Sequence, residues 1–184
     1  MSEVLTLASF VEAHETQPLE LFLLENARPV LLHHSHQQSV ADAADFRTAL
    51  LGASMPQLSY AAPLTPDLPV YPLVKAAGAL YSDRIIIGRT SNCDIPLPFA
   101  SISKFHAYVT WPEDPDAPEG LEQQYWLTDP GSTNGCFIDG RRLELRKPKV
   151  IHDGAHILFG EQSFSFLTPA TFEQAVARIA AMVR

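Results

Sequence analysis

Apolar residues fall along this chain in two periods, one helical and one alternating, and the change between them divides it. Near the start, Val4, Leu7, Ala8 and Val11 recur at helical spacing. Pro18 opens a second helical segment, with Leu19, Phe22 and Leu23 on one face. Pro29-Val30-Leu31-Leu32 fits a short strand, and Ser39 with Asp42 resembles a capping arrangement before Ala43, Ala44, Ala49 and Leu50. Pro56, Pro63, Pro66 and Pro69 then interrupt the sequence as an extended connector does. From Tyr71 the pattern becomes strand-like. Short β-branched and aromatic runs at 85–87, 95–97, 106–111, 125–128, 137–138, 149–151, 156–159 and 163–167 are punctuated by Gly, Pro, Asn and Asp. Phe164 and Phe166 alternate with Ser163 and Ser165, which predicts one buried face. Thr171 with Gln174 reads as a capping box, and Phe172, Val176, Ile179 and Val183 form one stripe of a terminal helix.

These patterns predict a helical extension over 1–52, a proline-rich linker over 53–69, a mostly β body over 70–168 and a C-terminal helix over 169–184. About fifty residues bury little surface alone, so the extension is expected to pack on the β body or on a partner. A fragment of residues 66–184 is expected to fold without residues 1–52. The terminal stripe docks on the β body or on the extension, with dimerisation as the alternative use.

Chain parity places the polar loops. With Arg89 at the top of an upward strand, residues 90–105 hold only the tiny strand at 95–97 and stay near the top. Strand 106–111 descends and strand 125–128 returns in a hairpin, so residues 131–135 turn at the top again. The acidic, proline-rich 112–124 segment falls at the opposite end as a long hairpin loop. Arg89, Ser103, Lys104, Thr133 and Asn134 thus converge at one end of a sheet. The set is all donors and no base, which suits an anion held by charge-assisted bonds, with arginine bidentate to phosphate oxygens.

The ordered pieces Gly88-Arg89, Ser103-x-x-His106, Ser132-Thr133-Asn134-Gly135, Asp153-Gly154-x-x-Ile157 and Gly160 resemble a forkhead-associated (FHA) domain over roughly residues 68–168. The resemblance implies a two-sheet antiparallel β-sandwich that binds phosphothreonine peptides through loops at one end. By that resemblance Arg89 and Ser103 grip the phosphate and Lys104 assists. Thr133 and Asn134 hold the peptide backbone, and Gly88, His106 and Gly135 support the site. Two positions depart from the family pattern: Cys136 stands where threonine is usual, and Ala155 where an acidic residue is usual. The implied partner is a phosphothreonine-containing protein, a Ser/Thr kinase or its substrate; the alternative is a phosphorylation-independent interaction scaffold on the same sandwich.

Composition narrows the rest. The chain has 184 residues and a formal net charge of −8, which argues against nucleic acid as the main partner. Arg141, Arg142, Arg146, Lys147 and Lys149 follow a descending strand, so part of this basic group is expected at the far end from Arg89, as a solvated face. No apolar run reaches membrane-spanning length, no basic n-region precedes an apolar stretch, and two cysteines, Cys93 and Cys136, are too few for a disulfide scaffold. A cytoplasmic protein with two partly buried thiols is expected. His33-His34-Ser35-His36 is the one metal-like cluster, but adjacent side chains on a strand point to opposite faces. An exposed polar turn is the preferred reading, with no metal and no cofactor. Ser103 and His106 are too poorly spaced for a nucleophile and base, and no carboxylate is evidently placed to orient the ring. His106 is expected buried, tying the preceding loop by hydrogen bonds, and no enzymatic activity is expected.

Overall fold

The computed structural model describes residues 5–34, 64–79, 81–111 and 124–183. The capping arrangement at Ser39 and Asp42, most of the proline-rich 53–69 stretch and nearly all of the 112–124 segment lie outside the described residues. The chain is mostly β, with two sheets and, among the described residues, three helices. It forms two compact units, residues 1–72 with 163–184, and residues 73–162.

In the first unit, helices α1 (Leu7–Thr16) and α2 (Leu19–Glu25) precede strand β1 (Val30–His34). The Thr6 N–H donates to the Ser9 hydroxyl (3.3 Å), holding the start of α1. Strand β1 is central, antiparallel both to β2 (Val70–Pro72) and to β11 (Gln162–Leu167). Val30, Leu32, Val70 and Leu167 share one core cluster with Leu7, Phe22, Phe172 and Val176, and Phe10 meets Phe172 edge-on at 5.0 Å. Of the α2 face expected inward, only Phe22 is buried; Leu19 and Leu23 are exposed. Helix α3 (Pro169–Val183) begins ahead of the expected Thr171 cap, with proline at the first position, where a missing N–H costs nothing.

Two expectations fail here for one reason. His33 and His34 lie in β1 and are buried, not in an exposed turn. Ser163 and Ser165 are as buried as Phe164 and Phe166. Ser163 and Ser165 pair with His34 and Leu32 on the sheet face that carries the helix-packed residues. Buried polar groups there need partners, and the His34 ring lies 2.8 Å from the Ser165 hydroxyl. On the other face His33 packs on Phe164 at 4.9 Å.

The second unit holds the sandwich core. One sheet runs in the order β4 (Ile95–Pro96), β3 (Ile85–Gly88), β5 (Ala107–Thr110), β6 (Tyr125–Thr128), β9 (Lys149–Ile151). Its pairs are antiparallel except β3 with β4, which is parallel. Facing it in this unit, β7 (Cys136–Ile138) lies between β8 (Arg141–Arg142) and β10 (His156–Phe159), both antiparallel to it. Ile85, Ile87, Val109 and Leu127 from one sheet and Cys136, Ile138, Ile157 and Phe159 from the other are buried. Asp139 (φ 50) and Gly140 (φ 74) close a two-residue hairpin between β7 and β8, both in the left-handed conformation such turns need. The departures from the family pattern are absorbed by packing: Cys136 and Ala155 are both fully buried.

Candidate functional site

The loops leaving β3, entering β5 and joining β6 to β7 meet at one end of the second unit, as parity requires, and a short chain of hydrogen bonds fixes them. The His106 N–H donates to the Ile87 carbonyl and the Arg89 N–H to the Ser103 carbonyl, both at 2.9 Å. This zips the end of β3 to the 103–106 loop. Gly88 makes the approach possible: a Cβ there would stand 2.2 Å from the Lys104 carbonyl oxygen and 2.9 Å from Cys93 Sγ. The Lys104 carbonyl also accepts from the Thr90 hydroxyl and the Cys93 thiol, each at 3.2 Å. Below this loop the buried Asp94 carboxylate accepts from the Ile86 N–H (2.7 Å) and from Lys75 Nζ (2.9 Å), anchoring the 89–94 turn.

His106 joins the second loop to the third. Its Nδ1 accepts from the Ser103 N–H at 3.0 Å, so its Nε2 carries the proton and donates to the Gly135 carbonyl at 3.1 Å. The ring is fully buried, edge-on to Phe159 at 5.7 Å. Its partner is the Ser103 backbone, not the Ser103 hydroxyl, so the pair has no nucleophile–base geometry. The hydroxyl is engaged elsewhere: Ser103 Oγ accepts from the Thr133 N–H (3.0 Å) and donates to Thr133 Oγ1 (3.3 Å). Asn134 Nδ2 donates to the Ser101 carbonyl at 2.7 Å, which leaves its Oδ1 and second amide proton for other use.

Sequence reasoning gave Asp129 and Ser132 no role, yet they build the third loop. The Asp129 carboxylate accepts from the Gly131, Ser132 and Cys136 N–H groups and the Ser132 hydroxyl, at 2.7 to 3.1 Å. Burial on its own raises this carboxyl, but the four bonds together hold it below the usual carboxylate range. Ser132 Oγ in turn accepts from the Gly135 N–H at 3.0 Å. The signal was legible as an Asx turn, an aspartate followed by Pro-Gly-Ser.

The charges at this end stand open. Arg89 and Lys104 are exposed, and among the described residues neither has an acidic partner, whereas Lys75, Arg84 and Lys147 are paired. The basic group divides. Arg141 stays at the β7–β8 turn, but β8 runs back, so the Leu143 N–H reaches the Cys136 carbonyl (2.9 Å) and the Arg146 N–H the Asp129 carbonyl (2.7 Å). Arg142 lies against Gly135, where a Cβ would stand 2.9 Å from its Nε. Cys93 and Cys136 are buried free thiols, and burial pushes the Cys136 thiol far up, out of the reactive range. Among the described residues no helix is long and apolar enough to cross a membrane.

The tie through His106 carries a pH prediction. Burial lowers its pKa from the ordinary value near 6.5, with the Gly135 bond and the Asp129 charge acting weakly the other way. The unfolded chain therefore binds the proton more readily than the folded one. The ring's contribution to stability is complete above about pH 6.5 and is lost as pH falls through the depressed folded value. Thermal melts of the wild-type chain and His106→Gln across that window are expected to differ in slope, the variant losing less stability on acidification. Parallel curves would show that the ring does not titrate as described.

Residues 85–160 match the family model described as FHA domain. Two curated proteins are similar over 86 residues: the mouse angiogenic factor with G patch and FHA domains 1, at 33% identity across 44% of this chain, and human kanadaptin, at 30% across 45%. The chain spans 11% of the length of each. Among solved structures, the yeast Dun1 FHA domain in complex with a doubly phosphorylated peptide is similar at TM-score 0.48 and 20% identity, covering 77% of this chain and 74% of that one. The FHA domain of the CT664 protein from Chlamydia trachomatis is similar at TM-score 0.46 and 18% identity, covering 76% of this chain and 96% of that one.

Proposed function

We propose that this chain, whose residues 85–160 match the FHA-domain family model, binds phosphothreonine-containing segments of partner proteins at the Arg89–Asn134 loop end. The carrying observation is the exposed Arg89 and Lys104, without an acidic partner among the described residues, beside a hydroxyl and amide set that three hydrogen-bonded loops hold in place. In this reading the Arg89 guanidinium and the Ser103 hydroxyl take the phosphate oxygens, with Lys104 adding charge. The Ser103 proton turns from Thr133 Oγ1, a long bond at 3.3 Å, to a phosphate oxygen. Thr133 and the uncommitted half of the Asn134 amide align the peptide backbone. The partner is the target of a Ser/Thr kinase, or that kinase itself, and the chain acts by binding rather than by turnover.

The test is titration of one peptide in three forms: phosphothreonine, phosphoserine and unphosphorylated threonine. Binding is expected for the first and not the last; equal affinity for both would leave a phosphorylation-independent scaffold. Phosphoserine is expected to bind about tenfold more weakly. The donors read groups common to both ligands, so discrimination rests on one methyl, about 0.8 kcal/mol by area, enlarged where a fitted niche would be left void. Equal affinities for the two phosphopeptides would mean that the loops over 97–103 and 133–134 form a generic phosphate cradle.

A further inference from the structure

We propose that Arg142 is a second anion-reading element of this site, selecting ligands that carry another negative side chain near the phosphothreonine. The inference rests on the phosphopeptide reading above and extends it to a residue outside the three loops. Its basis is geometric. A Cβ on Gly135 would lie 2.9 Å from Arg142 Nε, 3.1 Å from Nη2 and 3.2 Å from Cζ, so one face of the guanidinium lies over this glycine. The same group sits 5.9 Å from the centroid of the Phe137 ring. Glycine below and an aromatic ring beside it flank the fork at Gly135, the residue that follows Asn134 in the chain.

Two further observations leave the Arg142 fork available to a ligand. Among the described residues it has no acidic partner, although the chain carries a net charge of −8 and Lys75, Arg84 and Lys147 are each paired. Glycine at 135, in the left-handed conformation at φ 85, is also what clears the space the fork occupies. A planar fork presents paired donors to a carboxylate or a phosphate, and less side-chain freedom is lost on binding when it is already held. The ligand chemistry is therefore an oxyanion, supplied either by Asp or Glu or by a second phosphorylated residue.

The experiment uses the full chain and a phosphothreonine peptide with alanine at every flanking position. Each flanking position in turn is then replaced by glutamate in one arm and by phosphoserine in the other. Affinities are read by fluorescence anisotropy for the wild type, Arg142→Gln and Arg142→Lys. At one or two neighbouring positions the wild type is expected to gain about fivefold from glutamate, the upper range for an exposed ion pair. That gain disappears in Arg142→Gln and returns in part with Arg142→Lys, while all three proteins bind the alanine parent alike. Similar gains in both arms identify a carboxylate as a sufficient ligand; a gain confined to phosphoserine identifies a second phosphate. Binding of the parent with no gain at any position, or a gain that survives Arg142→Gln, overturns the proposal and leaves the phosphothreonine reading intact. A wild-type chain that ignores the parent peptide removes both.

Discussion

Replacing Arg89 with alanine is expected to weaken phosphothreonine-peptide binding by at least about tenfold, the scale of a lost charge-assisted hydrogen bond, and to leave the melting temperature unchanged. The two halves of this expectation have separate physical sources. The Arg89 side chain is exposed and has no acidic partner among the described residues, so no ion pair with them is lost with it. What Arg89 gives to the fold is its backbone N–H, bonded to the Ser103 carbonyl, and alanine keeps it. Calorimetric titration with the same peptide, beside a melt of each protein, reads both. Unchanged affinity in a folded variant would sink the site assignment.

Removing residues 1–34 is expected to unfold the first unit rather than trim it. This reverses the expectation drawn from the proline-rich stretch, that residues 66–184 fold alone. Strand β1 pairs with both β2 and β11, so its loss leaves Val70–Pro72 without its partner strand and opens one edge of Gln162–Leu167. Leu7, Phe22, Val30 and Leu32 are fully buried against Val70, Leu167, Phe172 and Val176. At about 1.5–3 kcal/mol for each buried side chain, four such losses rival the whole stability of a typical domain, about 5–15 kcal/mol. Circular dichroism melts of the two chains decide it. A soluble 66–184 fragment melting cooperatively at the full chain's temperature would show that the helices and β1 are dispensable.

The placement of Arg89, Ser103, Thr133 and Asn134 at one loop end was legible because each sits in a loop that borders a visible apolar run, and counting strand reversals tells which end of a sheet a loop occupies. The same count loses Arg142, because β8 is two residues long and has no apolar signature; its return beside Gly135 is set by the hairpin at Asp139-Gly140. His33 and His34 misled because burial of a polar pair depends on what the neighbouring strand offers, and Ser165 and Phe164 lie far along the chain. Ser163 and Ser165 read as a solvent face because alternation reports side-chain direction, not what covers each side. The Asp129 turn shows the reverse case: the residues were plain, but only the geometry shows four donors meeting on one carboxylate.

Side chains such as His106, Asp129 and Ser132 tie the loop end together, but Arg89 and Lys104 enter its frame only through backbone atoms. Arg89 contributes its N–H, Ser103 and Lys104 their carbonyls, Gly135 its carbonyl, while the cationic side chains of Arg89 and Lys104 take no part. The consequence is evolvability. Selection can rewrite charge and preference at Lys104, or silence the site at Arg89, one codon at a time and without renegotiating the scaffold. An engineer can vary the same two positions on the same terms.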